Sequence, residues 1–313
     1  MGDRLDWPNI PYLEWQDSCS ALHLYSQIVG KYRLARTPWV NHAWHATLYV
    51  DADGLTSGLI PDSGGITIRF DLRAQRLVGT CISGERQGFD LEPMTVAEFD
   101  RRFKTLVRGL GGTPDYHRTP NELPNPVPFA EDKEQRPWDA EAVIRFHKSL
   151  ATIDEVLKTF RTGFLGKVSP VHLFWGSFDL AVTRFSGRGA PRHPGGIPYL
   201  PDEVTQEAYS HEVSSAGFWP GGGGVDEPCF YSYAYPTPEQ FSQAQVAPER
   251  AGWNDKLGEF ILSYEAVRQA SDPRSTLLEF LQSTYDAAAD TGDWPSDSLE
   301  CKTGVPGKPR KLD

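Results

Sequence analysis

Segments with helical spacing of apolar residues alternate along this chain with short segments in which every second residue is apolar. Apolar residues recur three and four positions apart from Ser18 onwards, which predicts a helix that ends at Gly30. Strict alternation over 66–72, followed by apolar runs at 77–82 and 88–91, predicts an antiparallel meander. Helices interleaved with short antiparallel strands are typical of an α+β fold, with helices packed against the sheets.

Capping residues and periodicity predict the remaining elements. Thr95 and Glu98 form a capping box, which predicts a helix that ends at the Gly111–Gly112 pair. Asp272, followed by a proline, predicts the start of a last helix. The same patterns predict a long helix over 143–160, a short helix over 204–209, and strands over 44–50, 171–183, 229–235 and 258–264.

A segment with six prolines and no periodicity, 114–137, is the predicted boundary between two lobes. The expected organisation is an N-terminal α+β lobe over 1–113, this connector, a C-terminal α+β lobe over 138–295 and a flexible tail over 296–313. In each lobe a helix leads through a Gly-Lys pair (IVGK and FLGK) and a proline into an aromatic segment with histidine. One interpretation is a pseudo-duplicated pair of lobes with a cleft between them.

Charge and hydropathy argue against several classes of protein. The chain has 31 basic and 42 acidic residues and a formal net charge of −11, which argues against a nucleic-acid partner. No apolar run approaches the roughly 20 residues that span a bilayer, and the first residues form no hydrophobic signal segment, so no membrane association is expected. The four cysteines are scattered and form neither a disulfide framework nor a zinc motif, which indicates a reducing, cytoplasmic location.

Four stretches have distinctive sequences: WPNIPY at 7–12, PWVNHAWH at 38–45, and longer strings at 169–188 and 209–224. The two long stretches contain PVHxFWGSFDLAVTRFSGR and SHEVSSxGFWPGGGG, which are highly specific. In these stretches the chain resembles an uncharacterised bacterial family of unknown function, and the likeness covers nearly its whole length. The resemblance implies no established activity, cofactor or catalytic residue, so function must be inferred from the residues themselves.

Histidines that are candidate metal ligands lie in both predicted lobes. His42 and His45 are three residues apart and would converge on one ligand if the first of them lies in a turn before a strand. His172 and Asp179 point to opposite faces of an unbroken strand, and a bulge at Gly176 would bring them to one face. The alternative for each histidine is a hydrogen bond within the packed core.

A cationic loop stands out in this acidic chain. Arg184, Arg188, Arg192 and His193 lie within ten residues, in a segment that also contains several glycines. Guanidinium groups bind carboxylates or phosphates in a fork geometry, and glycines allow backbone N–H groups to approach an anion. The segment is therefore a candidate anion-binding loop. The alternative is that these side chains pair with the surplus acidic residues of the chain.

A glycine-rich loop and several aromatic residues form the last group of candidates. Four consecutive glycines at 221–224 follow Trp219 and predict a tightly shaped loop or a moving lid. His211 and Glu212 precede this loop and are candidates for an acid–base pair. Tyr233 belongs to a row of tyrosines on one strand face that is suited to lining a pocket, with core packing as the alternative.

Together these features predict a soluble enzyme that acts on a small anionic metabolite in a cleft between the lobes. The candidate catalytic residues are His211, Glu212 and Asp179. The candidate substrate-binding residues are cationic or aromatic: Arg184, Arg188, Arg192, His193, Trp175, Trp219 and Tyr233. A divalent zinc or iron ion is an optional part of this prediction. Its ligands would be histidines together with a carboxylate from Glu212 or Asp179; the histidines are His42, His45, His172 and His211.

Two other functions fit the same residues. The first is a non-catalytic protein that binds a small ligand or a partner through the Tyr/Trp face and the arginine loop. The second is a scaffold for a protein complex, which would show a broad exposed apolar patch and no deep pocket.

Overall fold

The computed structural model describes residues 7–310, which form seven α-helices and two antiparallel sheets. The helices are α1 (Tyr12–Arg36), α2 (Val96–Gly109), α3 (Ala140–Arg161), α4 (Asp202–Ala208), α5 (Tyr264–Arg268), α6 (Pro273–Thr291) and α7 (Ser296–Leu299). The first sheet is a meander of β1 (Tyr49–Val50), β2 (Gly54–Ile60), β3 (Ile66–Asp71), β4 (Arg76–Cys81) and β5 (Arg86–Asp90). The second sheet contains β6 (His172–Phe174), β7 (Asp179–Gly189), β8 (His211–Trp219), β9 (Cys229–Tyr235), β10 (Gly252–Asn254) and β11 (Glu259–Ser263).

This arrangement confirms the predicted α+β fold with antiparallel sheets and packed helices. The Thr95 hydroxyl accepts a hydrogen bond from the backbone N–H of Glu98 at 3.0 Å, as the capping box predicts. The strand β2 was not predicted, because a bulge between Thr56 and Leu59 interrupts the alternation of its side chains. Gly58 lies in this bulge with a φ of 63°, a conformation that glycine adopts without strain.

The predicted end of the first helix at Gly30 is wrong. Helix α1 continues through Gly30 to Arg36 and is buried along most of its length. Gly30 is needed for close packing, because a Cβ atom at this position would overlap the indole ring of Trp175. The glycine therefore lets the turn after β6 lie directly on the helix backbone.

The predicted single strand over 171–183 is a hairpin. The strands β6 and β7 pair antiparallel, with His172 opposite Ala181, and the turn between them contains Gly176. The prediction for 44–50 is also mostly wrong, because 41–43 form a 3-10 turn and only the last two residues form β1. Leu48 joins this segment to β6 through a reciprocal pair of backbone hydrogen bonds with Leu173, at 2.8 and 2.9 Å.

The apolar core includes residues from both halves of the chain. The buried apolar side chains form one continuous cluster, in which α1 is central. Trp15 of α1 packs on Phe146 of α3 with ring centres 5.0 Å apart, and Tyr25 stacks on Phe99 of α2 at 4.2 Å. The lobe boundaries and the duplication stay predictions.

The proline-rich segment 114–137 contains no helix in the described part of the chain, yet it reaches the interior. Asn121 is buried, and its backbone forms two hydrogen bonds with the side-chain amide of Gln27, at 2.8 and 2.9 Å. These bonds fix the middle of the segment against α1. Within residues 7–310, no helix is both long enough and apolar enough to traverse a bilayer.

The packing of Trp175 on Gly30 leads to a testable prediction. A Gly-to-Ala change inside an ordinary helix stabilises it by about 1 kcal/mol. We expect Gly30→Ala instead to lower the free energy of unfolding by about 1–3 kcal/mol, because the added methyl group overlaps the indole ring. Urea denaturation measures the difference.

Gly252→Ala is the matched control. A Cβ atom at Gly252 would meet no heavy atom within 4 Å. We therefore expect Gly252→Ala to change the free energy of unfolding by no more than about 0.5 kcal/mol. A Gly30→Ala protein that is as stable as the original chain would show that Trp175 does not pack on the helix at this point.

Candidate functional site

A cavity of about 660 Å³ lies between α1, the proline-rich segment, the β6–β7 turn, the second sheet and α4; we call it the main cavity. Its volume is typical of sites for small molecules. Most of its wall is aromatic or aliphatic, including Trp39, Trp44, Phe174, Phe185 and Leu200. Such a wall favours an apolar ligand and excludes water from the polar groups that it surrounds.

Polar side chains from separate parts of the chain converge on one wall of this cavity. Lys31 comes from α1, Asn121 and Glu122 from the proline-rich segment, and Asp179 from the first position of β7. Ser177, Tyr231 and Tyr233 complete this polar wall. A few convergent polar groups in an otherwise apolar cavity are the usual composition of a binding or catalytic site.

Asp179 is held by two hydroxyl groups. Ser177 Oγ donates to one of its carboxylate oxygens and the Tyr231 hydroxyl to the other. Burial raises the pKa of Asp179, and these two hydrogen bonds partly oppose that effect. Gly217 on β8 makes the arrangement possible, because a Cβ atom there would lie 2.6 Å from the Tyr231 hydroxyl oxygen.

Glu122 is placed by a backbone conformation that is rare for a non-glycine residue. Its φ is 60°, and its N–H donates to the carbonyl of Pro198 at 3.0 Å. Its carboxyl group lies against Gly176, where a Cβ atom would overlap the oxygen Oε1. Burial, and then the charge of Asp179, raise the pKa of Glu122 to about 7, against the opposing effect of Lys31.

Lys31 carries its amine to the same wall from the buried side of α1. Its Nζ donates to the side-chain oxygen of Asn121 at 2.6 Å and lies 5.4 Å from the ring centre of Trp175. Burial lowers the pKa of Lys31 to about 8, although the charge of Glu122 opposes this shift. The amine therefore titrates much closer to neutral pH than an exposed lysine does.

A second cavity of about 640 Å³ lies on the other side of the polar wall. The two cavities share Glu122, Asp179, Tyr231 and Tyr233, and the second also contains Glu259 and Trp219. Burial, and then the charge of Asp179, raise the pKa of Glu259 to about 7. Asp179 is thus close enough to both glutamates to influence their protonation.

Several predicted site residues do line these cavities. Asp179 and Tyr233 line both, Trp175 and His42 line the main cavity, and Trp219 lines the second. The four glycines at 221–224 all have positive φ values, and the first three lie on the wall of the second cavity.

The predicted anion-binding loop is not assembled. The guanidinium of Arg184 is buried away from the cavities and stacks 3.6 Å from the ring centre of Phe160. Arg188 forms an ion pair with Glu212 at 2.7 Å and donates to the carbonyl of Gly292 at the end of α6. The remaining two members have local partners: Arg192 donates to Gln206, and His193 stacks on Tyr209.

The pairing of Glu212 also changes its predicted role. Its carboxylate accepts hydrogen bonds from Arg188 and Ser186, both at 2.8 Å, and it does not line either cavity. The Nδ1 atom of His211 lies 3.1 Å from the hydroxyl oxygen of Ser210. The structure therefore does not bring His211 and Glu212 to the polar wall with Asp179.

The four predicted metal ligands do not meet at one point. His42 contacts the carbonyl of Ala208 at 2.7 Å and Lys167 Nζ at 2.5 Å, and its ring centre is 6.0 Å from that of His211. The other two rings lie in separate places. His45 is near the backbone of Val40, and His172 is fully buried beside Thr47. Among residues 7–310, no group of three or more His, Cys, Asp or Glu side chains is arranged to hold a metal ion.

Sequence reasoning missed Lys31, Asn121, Glu122 and Glu259. For Lys31 a signal was present, because this charged residue directly follows the apolar residues Ile28 and Val29 and the predicted helix end at Gly30. Asn121 and Glu122 lie in a segment without periodicity, where no local pattern indicates which side chains turn inward.

The fold and the cavities define an α+β protein in which two cavities share a wall of polar side chains. The chain belongs to a family of unknown function, DUF5996, whose sequence pattern matches residues 7–301. Neither a curated protein nor a solved structure matches the chain.

The raised pKa of Glu122 predicts a pH-dependent stability. The folded state holds the proton of Glu122 more tightly than the unfolded state, so stability is lost as pH rises from about 4.5 to about 7. One pKa unit corresponds to about 1.4 kcal/mol, which sets an upper limit of about 3 kcal/mol for this carboxyl group. We expect Glu122→Gln to match the original chain at pH 5 and to be more stable at pH 8.

Urea denaturation at both pH values measures this difference. Glu239→Gln is the matched control, since Glu239 is exposed and lines neither cavity. An equal effect of both substitutions at pH 8 would contradict the assignment of the raised pKa to Glu122.

Proposed function

We propose that this chain is an enzyme that binds a small, mainly apolar molecule in the main cavity and transfers protons at the molecule's polar end. The observation that supports this most is the convergence of Lys31, Glu122 and Asp179 on one wall of an apolar cavity. The three residues come from separate segments of the chain. Burying ionisable groups lowers the stability of the fold, and such groups are concentrated at functional sites.

Each residue of this wall has a separate role in the proposal. Glu122 is the proton donor and acceptor, because its carboxyl group has no hydrogen-bond partner among the described residues and titrates near neutral pH. Asp179 has both oxygens occupied by Ser177 and Tyr231, so it positions the wall and influences Glu122 through its charge. Within residues 7–310, Lys31 is the only lysine or arginine that contributes a cation to this wall.

The composition of the wall also changes the proposed substrate class. The sequence suggested an anionic metabolite held by arginines, but those arginines have other partners. The main cavity instead combines aromatic surfaces with one amine and two carboxyl groups. A molecule with an apolar body and a single polar, uncharged end is the better match, since a strongly anionic end would meet the carboxyl groups.

The test begins with ligand binding in the main cavity. Val204 on α4 lines the main cavity, whereas its neighbour Glu203 is exposed and does not. We expect apolar carbonyl, hydroxyl or amide compounds from a thermal-shift panel to raise the melting temperature of the original chain and of Glu203→Trp. Val204→Trp should reduce these shifts, because the indole takes up space that the ligand would occupy in the cavity.

Turnover of the compounds that bind then separates an enzyme from a binding protein. Chromatography with mass spectrometry follows each compound, and Glu122→Gln should reduce its conversion by about 100-fold or more while binding persists. Binding without any conversion would overturn the enzymatic proposal and favour the non-catalytic alternative. A panel with no binder sensitive to Val204→Trp would overturn the proposed site itself.

A further inference from the structure

We propose that the amine of Lys31 is a nucleophile that forms an imine with the carbonyl group of an aldehyde or ketone substrate in the main cavity. This inference rests on the proposed function, because it assigns a substrate class and a covalent step to the same site. It adds a role that proton transfer by Glu122 alone does not require.

The position of Lys31 is the first argument. The residue is 3% exposed, yet it lines the main cavity, and among the described residues it is the only lysine or arginine that does so. An amine in an apolar cavity is less solvated than one in water, which favours its neutral, nucleophilic form. A ligand carbonyl can approach it from the cavity while the aromatic walls hold the rest of the molecule.

The hydrogen-bond partner of Lys31 is the second argument. Two other lysines on helices, Lys104 and Lys158, each form an ion pair with an aspartate one helical turn away at 2.5 Å. Lys31 instead donates to the neutral amide oxygen of Asn121. An ion pair would favour the charged ammonium, whereas an amide acceptor orients the amine and leaves its deprotonation possible.

Titration near neutral pH is consistent with this role. Burial lowers the pKa of Lys31 to about 8, so about one tenth of the amine would be neutral at pH 7, compared with less than about a thousandth for an ordinary lysine. Glu122, with a pKa of about 7, is able to donate or accept a proton under the same conditions.

The chemical step requires no oxidant, reductant or cofactor. The nitrogen lone pair of neutral Lys31 adds to the carbonyl carbon, the C=O electron pair moves to oxygen, and one proton passes from nitrogen to that oxygen through Glu122. The resulting carbinolamine loses its hydroxyl group as water when Glu122 donates a proton to it. The nitrogen lone pair then forms the C=N bond, which leaves a protonated imine beside the Glu122 carboxylate.

Reductive trapping tests this step on the full chain without knowledge of the natural substrate. The probe is benzaldehyde with sodium cyanoborohydride at pH 7, which converts an imine into a stable benzylamine, and peptide mass mapping quantifies the label at each lysine. We expect Lys31 to be labelled at least 10-fold faster than the exposed residues Lys133 and Lys256. Slower labelling of Lys31 than of these exposed lysines would overturn the proposal.

Two variants show whether the label depends on the main cavity. Val204→Trp should suppress labelling of Lys31 and leave Lys133 unchanged, while Glu203→Trp should change neither. Fast labelling of Lys31 that is insensitive to Val204→Trp would contradict access through the cavity. Circular dichroism and melting temperature confirm that each variant is folded.

The outcome also separates this inference from the proposed function. If panel compounds bind and are converted in a Glu122-dependent way while Lys31 stays unlabelled, the imine step is wrong. The proposal of an enzyme that transfers protons through Glu122 is then retained. If Lys31 is trapped by the probe but no compound is converted, the nucleophile stands and the enzymatic proposal fails.

Discussion

The close approach of Trp175 to the backbone of helix α1 places the β6–β7 turn beside Lys31 and Glu122. Gly30 is the residue that allows it, since any side chain there would push the β6–β7 turn away from the helix. Lys31 follows Gly30 directly, and Gly176 follows Trp175 and leaves room for the carboxyl group of Glu122. Two glycines, each in contact with a large side chain, thus bring the amine and the carboxyl group to one wall.

Burial is the main physical influence on this wall. Desolvation is the largest cause of the pKa shifts of Lys31, Glu122, Asp179 and Glu259, and it favours the neutral form of each. Charge–charge interactions are the second cause of these pKa shifts: Asp179 repels the charged forms of Glu122 and Glu259, and Glu122 and Lys31 attract each other. A wall of this kind holds exchangeable protons near neutral pH, which is the condition that acid–base chemistry needs.

Local patterns in the sequence predicted much of the fold, because caps and alternation depend on neighbouring residues. The capping box at Thr95 and the strand over 229–235 agree with the structure. The prediction that the first helix ends at Gly30 was wrong, because the glycine is needed for packing against Trp175 and does not mark the end of the helix. The site was only partly predictable: Asp179 stood out as a carboxylate among apolar residues, whereas Glu122 is brought inward by contacts between distant segments.

The carboxyl groups shared by the two cavities couple events on one side of the wall to events on the other. A positively charged molecule bound in the second cavity next to Glu259 would lower the proton affinity of Asp179 and Glu122, because it stabilises their charged forms. By reciprocity, protonation of Asp179 and Glu122 changes the affinity of the second cavity for that cation by the same factor. The two cavities would thereby communicate through the hydrogen ions held on the carboxyl groups that line both of them.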